Sequence, residues 1–170
     1  MVSVCMEIET NRAIARQILR HRSFSFQEFS QRYAAVEDME FELSEARLQD
    51  MKNRQNSIEL EDDVMMEGWE DLPVKRWWKQ EQKVMLHQIK HIYNLALKNG
   101  VAKEVARNIL PEGLTPSRMY MNGTLRSWIH YCQLRMGNGT QKEHRAIAAE
   151  CWRLLCIEYP FLKELDNDMQ

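Results

Sequence analysis

Hydrophobic positions recur with two different periods along this chain, and the changes between them outline a fold. Val2, Val4, Met6 and Ile8 alternate with Ser3, Cys5, Glu7 and Glu9, a period of two that predicts a strand with one buried face. Asn11 then stands where a helix N-cap belongs, and Ile14, Ile18 and Leu19 share one face of a helix over about 12–20. Residues 23–26 alternate again and predict an extended segment that leads into a loop over 27–32. Residues 37–71 are polar and acidic, a surface excursion expected to be part helix and part loop. Pro73 opens a long helical pattern in which Trp78, Met85, Ile89, Ile92 and Ala96 face one way, and Asn99-Gly100 stops it. A short helix over 102–110 ends before Pro111, and a further one is expected over about 117–136. After the turn Gly137-Asn138-Gly139, a last helix over 141–158 should bury Ile147, Ala148, Cys151, Leu154 and Leu155 before Pro160 closes it.

These elements give a helix-rich α+β chain, read as one domain over 1–170, with very little sheet of its own. A single amphipathic strand cannot stand alone. Its partner strands are therefore expected in other subunits or in N-terminal sequence outside this chain.

Composition narrows the class. The chain has 170 residues, 44% of them apolar and 28% charged, which suits a globular domain with a substantial core. No apolar run approaches the roughly 18 to 20 residues that span a bilayer. The first ten residues lack the basic and apolar regions of a secretory signal. Four cysteines without a CxxC pair read as reduced thiols, so a cytoplasmic setting is expected.

The net charge of −2 conceals a strong asymmetry. Residues 12–33 carry five arginines against one glutamate, whereas residues 34–71 carry thirteen acids against three bases. A basic cluster in a slightly acidic chain points to a local anion site. An extended nucleic-acid surface would spread such charge over a whole face.

The cluster centres on residues 20–33, RHRSFSFQEFSQRY, where Arg20, His21, Arg22 and Arg32 surround Glu28. Such charges repel unless an anion sits among them. On the preceding helix Arg16 and Arg20 are four apart and Gln17 and Arg20 three apart, so they can converge on one ligand. Ser30 has no base with an orienting partner beside it, which makes a phosphate-binding hydroxyl the better reading than a nucleophile. His87 and His91 are spaced as in HExxH, but Gln88 cannot serve as the general base of a metalloprotease. The cysteines and histidines near the C-terminus lack zinc-ligand spacing, so no metal is expected.

This stretch resembles the signature of flavin-dependent thymidylate synthases, Arg-His-Arg followed after seven residues by Ser, with Glu28, Arg32 and Tyr33 also matching. Lys103-Glu104-Val105-Ala106-Arg107 with Leu110-Pro111, and Leu125-Arg126-Ser127 with Leu134-Arg135, are similar to two further segments of that family in the same order. The flavour of residues 20–33 and of residues 138–144, NGTQKEH, resembles that of viral (phage) members. The resemblance implies conversion of dUMP to dTMP, with methylenetetrahydrofolate supplying the carbon and FAD reduced by NADPH supplying the hydride. It implies dUMP contacts from Gln17, Arg20, Glu28, Phe29, Ser30, Gln31, Arg32, Arg107 and Arg135. It implies flavin contacts from Arg20, His21, Arg22, Glu28, Arg126 and His130, with Arg135 as the catalytic residue. It also implies a homotetramer whose sites are shared between subunits.

Gln27 and His130 stand where many members have asparagine, and Gly139 stands where some have histidine. The stretch between Arg107 and Leu125 differs in length, so Asn122 does not align cleanly with a flavin-contacting asparagine. Members also have a leading segment of strands and a histidine-containing flavin motif, and this chain is expected to be N-terminally short of it. A non-catalytic nucleotide-binding member and a variant that hydroxymethylates dUMP fit the same residues. An RNA-binding module using Arg12, Arg16, Arg20, Arg22 and Arg32 is the reading from another class, and the acidic balance of the chain weighs against it.

Overall fold

The computed structural model describes residues 2–29, 40–54, 56–68 and 71–169. Strand β1 (Ser3–Asn11) forms where the alternation over 2–9 predicted it and runs on through Thr10 to Asn11. It pairs antiparallel with β5 (Pro116–Thr124), in register from Ser3 opposite Thr124 to Asn11 opposite Pro116. The short strand β2 (Ser25–Glu28) takes the other edge of β5, so the sheet order is β1-β5-β2.

The helix-rich α+β class is as expected, but two sequence expectations fail together here. Residues 117–124 are strand, where a helix was predicted, and they supply within the chain the partner expected outside it. Ser117, Met119, Met121 and Gly123 are buried and alternate with exposed Arg118, Tyr120 and Asn122, a period of two. Gly123 is fixed by packing, because a Cβ there would lie 2.5 Å from Phe24 Cδ1.

Helix α1 (Arg12–Ile18) starts where predicted, with the Asn11 side chain accepting from Ile14 N–H at 3.0 Å. Helix α4 (Leu125–Met136) is capped by Thr124, whose Oγ1 accepts from Ser127 N–H at 3.2 Å. Helix α5 (Lys142–Glu158) packs along α4 and buries Ala148, Cys151 and Leu155 as expected, whereas Leu154 is 40% exposed. The main core fills the space between the sheet and these helices, with Ile14, Ile18, Met119, Met121, Trp128 and Tyr131 enclosed. Trp128 is held further by its indole N–H, which donates to Val4 O at 3.1 Å.

A second, smaller cluster lies under helix α2 (Val74–Lys98), where Tyr93 packs with Ala106 of α3 (Lys103–Ala106) and with Leu110. A 3-10 turn, Arg107–Ile109, continues α3. The buried face of α2 carries Gln82, Leu86 and Tyr93, while Met85 and Ile92 from the predicted face are 38% and 53% exposed. The acidic excursion contains a hairpin of β3 (Arg47–Gln49) and β4 (Ser57–Glu59), and no helix among its described residues. Lys142 ties this hairpin region to the start of α5 through Glu45 and Glu59, each at 2.9 Å. Among the described residues no helix is long and apolar enough to cross a membrane.

Candidate functional site

Helix α1 ends in a turn that brings His21 back over the core, its N–H donating to Ile18 O at 3.0 Å. Arg135, in the last turn of α4, meets it there: Arg135 Nε donates to His21 Nε2 at 2.8 Å. That bond requires a lone pair on Nε2, hence a neutral imidazole. Burial lowers the His21 pKa from 6.5 to about 4, and the positive charges of Arg135, His130 and Arg20 add to the effect. The His21 ring stands edge-on to Tyr131, with centroids 4.9 Å apart.

Behind these groups lies a buried polar row. Tyr131 Oη is 3.1 Å from His144 Nε2, and His144 Nδ1 is 3.3 Å from Gln17 Oε1. Gln17 Nε2 in turn donates to Gln141 Oε1 at 2.8 Å. Tyr131 and His144 are fully enclosed, and burial followed by the charges of Arg135 and His21 lowers the His144 pKa to about 4. Burial pushes the Tyr131 hydroxyl well above its usual 10.

The structure therefore gathers Gln17, His21 and Arg135, with Arg20 and His130 near enough to His21 to act on its charge. Arg20, Arg22, Arg126 and His130 are exposed, and Arg126 stands at the start of α4, nine residues before Arg135. Among the described residues none of Arg20, Arg22, Arg126 and Arg135 has a carboxylate partner. Glu28 sits on β2, where its Oε1 accepts from buried Ser117 Oγ at 2.7 Å. Phe29 is 61% exposed and lies under the Arg118 guanidinium, 5.9 Å from its centroid. Ser30, Gln31 and Arg32 lie outside the described residues.

Arg107 does not join the cluster. It lines a separate cleft of about 190 Å³ with Arg12, Arg16, Asn108, Leu110 and Glu112, and its Nε donates to Glu104 O at 3.3 Å. One carboxylate, Glu112 on Arg16 at 3.2 Å, serves three arginines in that cleft. A roomier cavity, about 610 Å³, also lies apart, between α2, the hairpin region and the 111–114 loop. It touches the cluster through Gln141 alone and contains no residue assigned from the sequence.

Sequence reading missed Tyr131, His144 and Gln141. A signal existed for the first two: Tyr131 is one turn before Arg135, and His144 falls on the apolar stripe with Ala148, Cys151 and Leu155. A polar residue on an apolar stripe must find a buried partner.

A small antiparallel sheet backed by helices defines an α+β protein, and α1 and α4 bring guanidinium, neutral imidazole and amide groups together, with no carboxylate bonded to Arg135 among the described residues. The sequence profile described as thymidylate synthase complementing protein matches residues 1–161, and the chain belongs to that family of enzymes. It is 48% identical over 164 residues to a probable flavin-dependent thymidylate synthase of Paramecium bursaria Chlorella virus 1, covering 95% of this chain and 70% of that protein. It is 49% identical over 160 residues to the flavin-dependent thymidylate synthase of a Synechocystis strain, covering 94% and 69%. The Aquifex aeolicus flavin-dependent thymidylate synthase is 33% identical over 136 residues, covering 79% of this chain and 39% of that protein.

Proposed function

We propose that this chain methylates dUMP to dTMP, taking the carbon from methylenetetrahydrofolate and the reducing equivalents from NADPH through bound FAD. The observation that carries the reading is the convergence of Gln17 and His21, from the stretch around α1, with Arg135, from the end of α4 and more than a hundred residues away in sequence. The exposed Arg20, Arg22, Arg126 and His130 fit a flavin nucleotide, because they offer donors to its diphosphate with no carboxylate bonded to the three arginines among the described residues. When bound there, the flavin would supply the hydride chemistry.

The chain's own residues bind, orient and stabilise charge. Gln17 offers its amide to the pyrimidine. Arg135, steered by neutral His21, directs its remaining N–H groups at the uracil ring, where negative charge develops as the ring is attacked. Glu28, steadied by Ser117, accepts from the substrate. Ser30, Gln31, Arg32 and Phe29 complete the receiving loop, with Ser30 and Arg32 toward the phosphate. Arg107 opens on a cleft with a surplus of positive charge, which suits a phosphate monoester.

A site assembled between subunits, as in a homotetramer, fits the finding that Arg107 and Arg135 line no common cleft among the described residues. A cytoplasmic location follows from the substrates. The test is turnover: protein supplied with FAD, NADPH, methylenetetrahydrofolate and dUMP should yield dTMP by mass. Hydroxymethyl-dUMP as product would replace the reaction, and binding of dUMP without any product would reduce the chain to a nucleotide-binding member of the family.

A further inference from the structure

We propose that Tyr131 and His144 are positioning residues for Gln17, locking its amide in one of two orientations so that the pyrimidine meets a fixed donor and a fixed acceptor. This rests on the reading that Gln17 contacts dUMP. It assigns a role to two buried side chains that neither the signature nor the cluster at Arg135 uses.

The row of hydrogen bonds has one consistent direction. Gln17 Nε2 donates to Gln141 Oε1 at 2.8 Å, so Gln17 Oε1 is the atom facing His144, 3.3 Å from Nδ1. An amide oxygen only accepts, so His144 carries its proton on Nδ1. Its Nε2 then holds a lone pair, and the Tyr131 hydroxyl 3.1 Å away donates to it. Every group fills a single role, and the neutral state of enclosed His144 agrees with its lowered pKa.

The opposite orientation fails at the far end. With the Gln17 nitrogen facing His144, the imidazole must accept at Nδ1 and carry its proton on Nε2. Tyr131 then has to accept. Its own hydroxyl proton is left in a fully enclosed site with no other acceptor among the described residues. A buried unsatisfied donor disfavours that arrangement by about tenfold or more. The tyrosine proton, two residues removed from the ligand, thus decides which way the glutamine faces.

After the bonds to His144 and Gln141, Gln17 keeps one lone pair and one N–H. A pyrimidine imide edge presents carbonyl oxygens beside an N–H, so a fixed amide can pair with it in one register. A flipping amide would offer that register only part of the time.

The experiment is a double-mutant cycle on dUMP affinity, measured by calorimetry on FAD-loaded protein, with Tyr131→Phe, His144→Leu and His144→Asn each made alone and with Gln17→Ala. We expect Tyr131→Phe to weaken dUMP by about threefold and His144→Leu by about tenfold. His144→Asn, whose amide can donate to Gln17, should recover most of the loss. In the Gln17→Ala background each change should be nearly silent. Nitrogen-15 NMR of the unchanged protein, which needs no variant to fold, should find His144 as the Nδ1–H tautomer, and Tyr131→Phe should mix the two tautomers. An Nε2–H tautomer in the unchanged protein, or losses that persist undiminished without Gln17, overturns the inference. If Gln17→Ala weakens dUMP while the other variants bind normally, only the positioning role falls. If Gln17→Ala binds dUMP like the unchanged protein, the reading of Gln17 falls and takes the inference with it.

Discussion

At the scale of single residues, the protein keeps two histidines neutral where ordinary histidines would begin to charge. His21 must be neutral to accept from Arg135, and His144 is neutral because it is enclosed. Both pKa values are lowered to about 4, while the unfolded chain titrates near 6.5. The unfolded state therefore binds protons first on acidification. Stability from this source is complete above pH 6.5 and is lost as pH falls toward 4. For His144 the slope should approach about 1.4 kcal/mol per pH unit within that window, with less from His21, which is partly open to solvent. Urea midpoints at pH 7, 6, 5 and 4 would reveal it, and a flat profile between 6.5 and 4.5 would refute the neutral pair. Arg135→Gln should lower kcat about a hundredfold, because the lost guanidinium acts on charge developing in the transition state. Its melting temperature should change little, since the side chain is only partly buried and, among the described residues, bonds to His21 alone.

At the scale of elements, the decisive feature is β5, which holds β1 and β2 together and leads directly into α4 with its Arg135. Gly123→Ala should destabilise the fold by about 1–3 kcal/mol, read by chemical denaturation, because the new methyl group meets the Phe24 ring in the core. The hairpin is anchored at a second point. Arg47, 11% exposed at its side chain, pairs with Glu143 at 2.6 Å beside the start of α5. Arg47→Ala should cost about 1–2 kcal/mol, since it removes the buried partner of the half-buried Glu143, and Arg47→Ala with Glu143→Gln should recover part of the loss. Sequence legibility divided along the same lines. The signature, the Asn11 cap and the β1 alternation were readable because each is local. β5 was not: Met119, Tyr120 and Met121 run straight into the helix of Leu125, and the apolar pattern was read as one long helix instead of a strand followed by a helix. The face of α2 was misjudged because Gln82, a polar residue, is buried by bonds to Ser44 from a segment 38 positions away, which no local period encodes.

At the scale of the whole molecule, two basic sites lie apart in one copy: the cluster at Arg135 and the cleft at Arg107. The family relation makes a thymidylate synthase of this chain's relatives, and the proposed reaction uses both sites. Joining them through a second copy is the economical arrangement, and the partly exposed Val84, Ile92 and Leu95 on α2 leave apolar area for such contacts. Arg107→Ala protein mixed with Arg135→Ala protein should then regain activity through hybrid sites, whereas each variant alone should be nearly inactive. The most direct measurement of the central claim is the visible absorbance spectrum of the purified protein with FAD, recorded before and after addition of dUMP. Bound oxidised flavin is expected, with bands that shift when dUMP enters the cluster of Gln17, His21 and Arg135. A protein that takes up neither FAD nor dUMP would contradict the claim.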